Sequence, residues 1–163
     1  MVPASVISGY AFVPTTLGFD AAYGTTIKTG LRSDELSALS ISSVEFTLND
    51  SIVATWASGD VSFSAQLYKG PKITGETSVP PSSRRYVCGF DFNLMDGAAA
   101  AGGVEVPMFK RWDAPRGGVL IAGESFTIRI DSTATQTRNG VYYRVFYKPV
   151  KITVGQLIEL TTY

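Results

Sequence analysis

The sequence predicts an all-β protein, an antiparallel β-sandwich of the single jelly-roll type. Apolar and polar residues alternate with a period of two along much of the 163-residue chain. These runs are separated by turn-forming residues at a spacing of about 8 to 12 residues, without helical crossovers between them. No repeat of about 20 to 50 residues is visible, which argues against propellers and solenoids. The jelly roll is the common eight-stranded form of such a sandwich.

The amino-terminal part of the chain has the weakest pattern. Val6 to Val13 and Thr25 to Thr29 each have the composition of one strand, and Ser33 to Leu36 is a candidate helical turn. The chain is interpreted as one domain over residues 1–163, with 1–38 as a candidate irregular arm.

A change of parity predicts a bulge in the next strand. Leu39 and Ile41 point to one face, whereas Val44 and Phe46 continue with the opposite parity. The side chains would therefore swap faces unless a residue bulges out near positions 42–43.

The middle of the chain predicts strands joined by turns and two longer loops. Ile52 to Trp56 is a candidate strand, and Val61 to Leu67 has the clearest alternation, with Val61, Phe63, Ala65 and Leu67 facing inward. A Pro- and Ser-rich loop at 75–85 precedes a strand from Tyr86 to Leu94, and residues 95–118 are expected to be irregular.

The remaining strands are predicted at Val119 to Ala122, Phe126 to Ile130 and Val141 to Lys148. The tail from Val150 to Leu160 is apolar and β-prone, and Pro149 is a candidate kink at which the chain leaves its own sheet. Residues 150–163 are therefore a candidate strand exchanged with a neighbouring subunit.

The absence of histidine restricts the chemistry that the chain can perform. No histidine occurs in the sequence, so the commonest general acid-base residue and the commonest metal ligand are both missing. The single cysteine, Cys88, can form no intrachain disulfide, and its alternation with apolar residues predicts a buried, unreactive thiol.

Paired carboxylates are the remaining candidates for catalysis or metal binding. The candidates are Glu45, Asp91, Glu105, Glu124 and Asp131. Glu45, Asp91 and Asp131 alternate with apolar neighbours, which predicts solvated side chains on the outer faces of strands. Residues 91–93 with 96–97 offer oxygen ligands for calcium but lack the regular spacing of a calcium loop. We therefore expect no enzyme activity, cofactor or metal site.

Two segments, the pair Arg84-Arg85 and residues 109–116, provide basic residues that combine with aromatic ones, as a single-strand nucleic-acid platform would. Residues 109–116 are interpreted as a protein contact, a single-strand nucleic-acid platform, or a loop in which Trp112 covers one end of the sandwich. Fourteen basic residues balance fourteen acidic ones, so no specific nucleic acid is expected. Val141, Tyr143, Val145 and Tyr147 should face the core.

The opposite side of that strand, from Tyr142 to Lys148, should then be either a contact surface or a face that a loop covers. The predicted contact residues are Phe109, Trp112, Arg116, Tyr142, Arg144, Phe146, Val150, Ile152, Val154, Leu157, Ile158 and Leu160.

The segment Gly117 to Ile130 consists of an apolar strand, a short Ala-Gly-Glu turn and an alternating strand. With the small size and the β pattern over about residues 39–160, the chain resembles the smaller single-jelly-roll major capsid protein of tailless, membrane-containing icosahedral phages of thermophilic bacteria, the sphaerolipovirus type. The resemblance implies a capsid subunit that forms dimers or higher assemblies, tiles with a second coat protein and lies near an internal membrane.

The expected location of the protein follows from the same resemblance and from the sequence of the amino terminus. No secretory signal is visible after Met1, so synthesis in the host cytoplasm and assembly into the virion are expected. The alternative function is a carbohydrate- or receptor-binding module of a phage fibre. Such a module would need exposed aromatic side chains on one sheet face, for which Trp56, Trp112 and Tyr142 are the candidates.

Overall fold

A computed structural model describes residues 5–13, 21–32, 35–48, 61–74, 78–94, 109–132 and 140–162 of the chain. Within these ranges the chain forms nine strands and one helix. They are β1 (Ser5–Phe12), β2 (Ala21–Lys28), β3 (Ser37–Leu48), β4 (Val61–Lys69), β5 (Tyr86–Leu94), β6 (Phe109–Asp113), β7 (Val119–Ala122), β8 (Ser125–Ser132), β9 (Gly140–Lys151) and α1 (Val154–Thr161).

The strands form two antiparallel sheets. Sheet I has the order β1-β9-β3-β6, and β7 pairs with β3 beyond the end of β6. Sheet II has the order β2-β8-β4-β5. The prediction of an all-β antiparallel sandwich is confirmed.

The core lies between the two sheets because each strand presents one apolar face. From sheet II, Phe63, Ala65 and Leu67 are buried, as their alternation predicts. From sheet I, Val141 and Val145 are buried with them. The alternation in the sequence therefore identified the inward faces of β4 and β9 correctly.

The bulge predicted in the long strand β3 is confirmed. The pairing of β3 with β9 shifts between Ile41 and Ser43. Ile41 and Val44 are consequently both buried although their parities differ. One extra residue keeps the apolar side chains on the core side from Leu39 to Leu48.

Several sequence-based boundaries need correction. Residues 5–12 and 21–28 are not an irregular arm, because β1 pairs with β9 and β2 pairs with β8. The stretch 95–118 is not wholly irregular, because 109–113 form β6 on the edge of sheet I. Glu35 and Leu36 are not helical.

The tail differs most from its prediction. Pro149 does not release the chain, because it pairs with Leu39 within β9. The strand predicted up to Leu160 is wrong, since α1 begins after Thr153. The Thr153 hydroxyl accepts a hydrogen bond from the Gln156 amide at 3.2 Å, and the Gln156 side chain accepts one from the Thr153 amide at 2.9 Å. This capping box satisfies the first amides of the helix and starts it at that point.

Other predictions fall outside the described residues. These are the candidate strand from Ile52 to Trp56, Glu105, the calcium candidates at 96–97 and residues 33–34 of the candidate helical turn.

Candidate interaction surface

The outer face of sheet I is the candidate functional site, and it is called here the open face. Its strands align residues in straight rows across the sheet. One row joins Tyr10, Tyr142, Thr47 and Phe109 on β1, β9, β3 and β6. The next row joins Ser8, Arg144, Glu45 and Arg111 in the same way. A third row joins Val6, Phe146, Ser43 and Asp113.

The rows form a trough that runs along β3. The shorter side chains of Ser43, Glu45 and Thr47 on β3 lie between two rows of longer ones. These rows are Tyr142, Arg144 and Phe146 on β9 and Phe109, Arg111 and Asp113 on β6. At Glu45 the two arginines of these rows approach the carboxylate and cover it. The backbones of β9 and β6 are two strand spacings apart, which is about 10 Å. The aromatic end of this trough belongs to a groove of about 620 Å³ that extends over β1.

The aromatic end of the open face exposes large apolar groups. Phe109 and Tyr142 retain 49% and 53% of their accessible surface, and Phe12 is exposed as well. Tyr10 lies beside Tyr142, with ring centroids 4.7 Å apart, and is roughly parallel to Phe12 at 5.8 Å. Contiguous exposed aromatic surface of this kind is typical of contact sites.

A glycine allows this aromatic cluster to lie close to the sheet. Gly140 of β9 is buried under the ring of Tyr10, and a Cβ atom added there would overlap that ring. The small residue at 140 therefore lets Tyr10 lie flat over the neighbouring strand, where it supports Tyr142.

The ionic row beside the aromatic end is nearly neutral. The Glu45 carboxylate lies 3.1 Å from an Arg111 nitrogen and 4.0 Å from an Arg144 nitrogen, and its side chain is only 12% exposed. Arg111 also contacts Asp113 at 2.9 Å. The hydrogen bond to Asp113, followed by the nearby charges of Asp113 and Glu45, raises the pKa of Arg111 above its ordinary value. The prediction that Glu45 points outward is correct, but the prediction that it is solvated is wrong, because the arginines cover it.

The helix α1 forms a second exposed apolar surface. Leu157 and Leu160 pack against a small cluster that includes Ala38 and Ile152. Val154 and Ile158 face away from the sandwich and retain 59% and 60% of their accessible surface. Because these two residues are four apart on a helix, they form one ridge, which is called here the α1 ridge.

The predicted contact residues therefore do not lie on one surface. Phe109, Tyr142, Arg144 and Phe146 lie together on the open face, and Val154 and Ile158 form the α1 ridge. Trp112 packs partly into the core beside Val44, and Ile152 is buried within its own chain, so neither offers an open surface. Leu157 and Leu160 attach α1 to the sandwich by packing against the same small cluster as Val150. Arg116 is exposed in the turn before β7.

The sequence contained a signal for two residues of the open face that were not predicted. Tyr10 and Phe12 alternate with Ala11 and Val13, which are both buried. The same parity argument that placed Tyr142 outward would have placed Tyr10 and Phe12 outward as well. The pairing of Glu45 with arginines from two other strands had no such signal, because it depends on strand order.

The outer face of sheet II, called here the covered face, contrasts with the open face. Loop residues 78–81 lie over it, where the Gln66 amide nitrogen donates to the Val79 carbonyl at 2.6 Å and the Val79 amide donates to the Gln66 side-chain oxygen at 3.0 Å. Arg129 is 7% exposed beneath this region and contacts Asp131 at 3.0 Å. Asp131 and Asp91 are exposed, as predicted.

One arginine of the candidate nucleic-acid pair Arg84-Arg85, Arg85, makes contacts within its own chain. Arg85 Nε donates to the Lys69 carbonyl at 2.8 Å, and a terminal nitrogen donates to the Pro71 carbonyl. Its guanidinium also lies 5.1 Å from the centre of the Tyr68 ring. Arg85 therefore joins the end of β4 to the loop before β5.

The reactive groups of the described residues do not converge on one site. No group of three or more His, Cys, Asp or Glu residues that could hold a metal ion occurs in the described ranges. Cys88 is buried, as predicted, and burial raises the pKa of its thiol to about 12. None of the helices within the described ranges is long and apolar enough to cross a membrane.

Comparison of the chain with protein-family models, curated proteins and solved structures found no match. The interpretation of the open face and the α1 ridge therefore depends on the residues of this chain alone.

Proposed function

We propose that the chain is a structural subunit of an icosahedral virus capsid, which self-associates and tiles with a companion coat protein. The support begins with the order of its strands. The first strand pairs with the last, β2 with β8, β3 with β6 and β7, and β4 with β5. If β6 and β7 are counted as one interrupted edge strand, this nested pairing supports the proposal of an eight-stranded jelly roll.

The jelly roll has a limited set of common uses, which are viral coats, lectins and cupins. Cupin metal chemistry depends on histidine, which this sequence lacks. A coat or a binding module is then favoured over an enzyme. The fold alone does not distinguish a coat protein from a binding module. The exposed surfaces of the chain are therefore the basis for choosing between them.

Two exposed apolar surfaces on one small chain support the coat. The open face and the α1 ridge together leave Phe12, Phe109, Tyr142, Val154 and Ile158 between 46% and 60% exposed. A shell subunit needs more than one contact surface, because each copy has several neighbours. This pair of surfaces is the observation on which the proposal depends.

The companion coat protein, the virion location and the proximity of an internal membrane come from the resemblance and are part of the same proposal. The thermophilic phage host is likewise proposed. No enzymatic role and no cofactor are assigned.

The test is sedimentation velocity of the purified full chain over a hundredfold range of concentration, followed by electron microscopy of the most concentrated sample. We expect concentration-dependent association and regular assemblies or defined oligomers. A chain that stays monomeric at every concentration would contradict self-association.

A carbohydrate-binding module is the second candidate, and the aromatic end of the open face is the observation that favours it. Tyr142, Tyr10 and Phe109 border a groove that also contains Arg144 and Glu45, which combines ring faces with polar groups. Binding of the chain to a glycan array, abolished by Tyr142→Ala, would favour this module over the coat.

A further inference from the structure

The groove at the aromatic end of the open face has the size and composition of a small-ligand site. Its volume of about 620 Å³ lies within the usual range of such sites, about 300 to 1,000 Å³. Ligand sites are commonly lined by aromatic side chains with a small number of polar groups. The groove is lined in this way by Tyr10, Phe109, Tyr142, Glu45 and Arg144.

The two charged groups of the groove differ in accessibility. The Glu45 side chain is only 12% exposed and accepts a hydrogen bond from Arg111 at 3.1 Å. The Arg144 side chain is 67% exposed, and its guanidinium lies 4.0 Å from the Glu45 carboxylate. Among the described residues, Arg144 makes no hydrogen bond. A ligand in the groove therefore meets an accessible guanidinium, whereas the carboxylate is covered. Arginine binds carboxylates through two parallel hydrogen bonds, so the groove favours a ligand with such a group.

The positions of these side chains suit a ring that carries a carboxylate. Tyr142 and Arg144 are two residues apart on β9 and face the same way, so they are separated by about 7 Å along the strand. The C–H groups of a sugar ring are attracted to the negative face of an aromatic ring such as Tyr142. Ser8 is exposed directly across from Arg144 on β1, and its hydroxyl can donate a further hydrogen bond. A sugar ring stacked on Tyr142 can thus extend a carboxylate to Arg144 and Ser8.

The distribution of charge favours a single carboxylate over a polyanion. Arg144 is the one cation among the described residues that line the groove. The neighbouring Arg111 is paired with Glu45 and Asp113. The open face therefore lacks the continuous positive track that a nucleic-acid backbone requires, and the formal net charge of the chain is zero.

We infer that this groove binds an acidic sugar, a sialic or uronic acid whose ring stacks on Tyr142 and whose carboxylate pairs with Arg144. The inference rests on the carbohydrate-binding module, the second candidate function, and names the class of its ligand. Because the groove lies on the open face, sugar binding and self-association through that face exclude each other. Binding is therefore measured at a concentration at which sedimentation shows a monomer.

NMR titration of the full chain with two matched pairs of sugars tests the inference. The pairs are 3′-sialyllactose with lactose, and digalacturonate with digalactose. We expect the acidic member of at least one pair to bind about tenfold more tightly than the neutral member, because a charge-assisted pair with arginine is stronger than a neutral hydrogen bond. The pair that shows this difference identifies sialic or uronic acid as the ligand.

The other outcomes separate this inference from the functions proposed above. Equal binding within both pairs would overturn the acidic ligand and leave the carbohydrate module standing. Absence of binding by all four sugars would overturn both, without bearing on the coat proposal. Tighter binding of a short single-stranded thymidine oligonucleotide than of either acidic sugar would indicate a nucleic-acid site and overturn the inference.

Substitution of Arg144 gives a second readout. Arg144→Gln should weaken binding of the preferred acidic sugar about tenfold and change binding of its neutral partner by less than about twofold. Arg116→Gln is the matched control, because it removes the same charge from an exposed turn outside the groove. Circular dichroism checks that both variants are folded. If Arg144→Gln keeps the preference for the acidic sugar, or Arg116→Gln loses it equally, the inference fails.

Discussion

The two outer faces of the sandwich differ in what lies over them. On the covered face of sheet II, loop residues 78–81 lie over part of the sheet. The paired hydrogen bonds of Gln66 with Val79 hold this loop, and the Arg129 side chain is buried nearby. The open face of sheet I instead exposes Phe109 and Tyr142 by about half of their surface. Both faces contain an arginine paired with a carboxylate, Arg111 with Glu45 on the open face and Arg129 with Asp131 on the covered face. The two faces therefore differ in their exposed apolar groups and in the loop that lies over the covered face.

We expect this difference to separate residues that stabilise the fold from residues that are available for contact. On the covered face, polar groups are satisfied within the chain, and their loss should lower the free energy of unfolding. On the open face, apolar groups remain in water, and their loss should change association more than stability. The predictions on Gln66, Thr47 and Tyr142 test the two sides of that comparison, and the prediction on Cys88 tests the core between the sheets.

The largest effect of a single substitution at neutral pH is expected on the covered face. Gln66→Ala removes both hydrogen bonds to the backbone of Val79, a residue that is only 3% exposed. Leaving a buried amide and carbonyl unpaired should lower the free energy of unfolding by about 3 kcal/mol. Urea denaturation followed by circular dichroism measures this change.

Thr47→Ala is the control on the open face, and it should change the free energy of unfolding by no more than about 0.5 kcal/mol. Equal losses for Gln66→Ala and Thr47→Ala would remove the distinction between a covered face and an open one.

The next effect concerns pH, through Cys88 on the inner side of sheet II. Burial raises the pKa of this thiol from its ordinary value of 9.0 to about 12. Below pH 9 both the folded and unfolded states keep the proton, so the stability contribution is complete. Between pH 9 and 12 the unfolded state alone loses the proton, and the free energy of unfolding should fall by about 1.4 kcal/mol per pH unit.

Cys88→Ala isolates this contribution. The variant should show a shallower loss of stability above pH 9 in urea titrations at a series of pH values. The same native protein should resist thiol reagents near neutral pH and react after denaturation. Parallel pH profiles for the two proteins, or rapid labelling of the native thiol, would show that Cys88 is accessible.

The smallest effect on stability is expected at the aromatic end of the open face. Tyr142→Ala removes a ring that is 53% exposed and contacts mainly Tyr10. The free energy of unfolding should fall by less than about 1 kcal/mol, because little buried surface is lost. Thermal and urea denaturation measure it. A loss of more than about 3 kcal/mol, typical of a core aromatic, would mean that the ring is part of the subunit's own core.

The sequence predicted much of the sandwich because its period is local. The alternation from Phe63 to Leu67 and from Val141 to Val145 identified the inward faces, and the parity change after Ile41 located the bulge. Strand order could not be predicted in the same way, because pairing depends on contacts between residues distant in sequence.

The errors in the sequence analysis have identifiable causes. The tail was predicted as a strand from its apolar content, although Thr153 and Gln156 at three-residue spacing are a capping box that starts a helix. β6 was missed because Phe109 and Arg111 face outward while Lys110 and Trp112 face the core, so the pattern is not a simple apolar and polar alternation. Glu45 was predicted to be solvated because the arginines that cover it come from β6 and β9.

We propose that the open face is a contact surface through which the chain associates with itself, and that the covered face is not. Sedimentation velocity of matched arginine substitutions tests it most directly. Thr47→Arg fills the trough floor and adds a charge beside Arg111 and Arg144, whereas Ser78→Arg adds the same side chain to an exposed position on the covered face. We predict that Thr47→Arg remains folded and becomes monomeric at concentrations at which the unmodified chain and Ser78→Arg still associate. Unchanged association of Thr47→Arg, or equal loss in both variants, would contradict the claim.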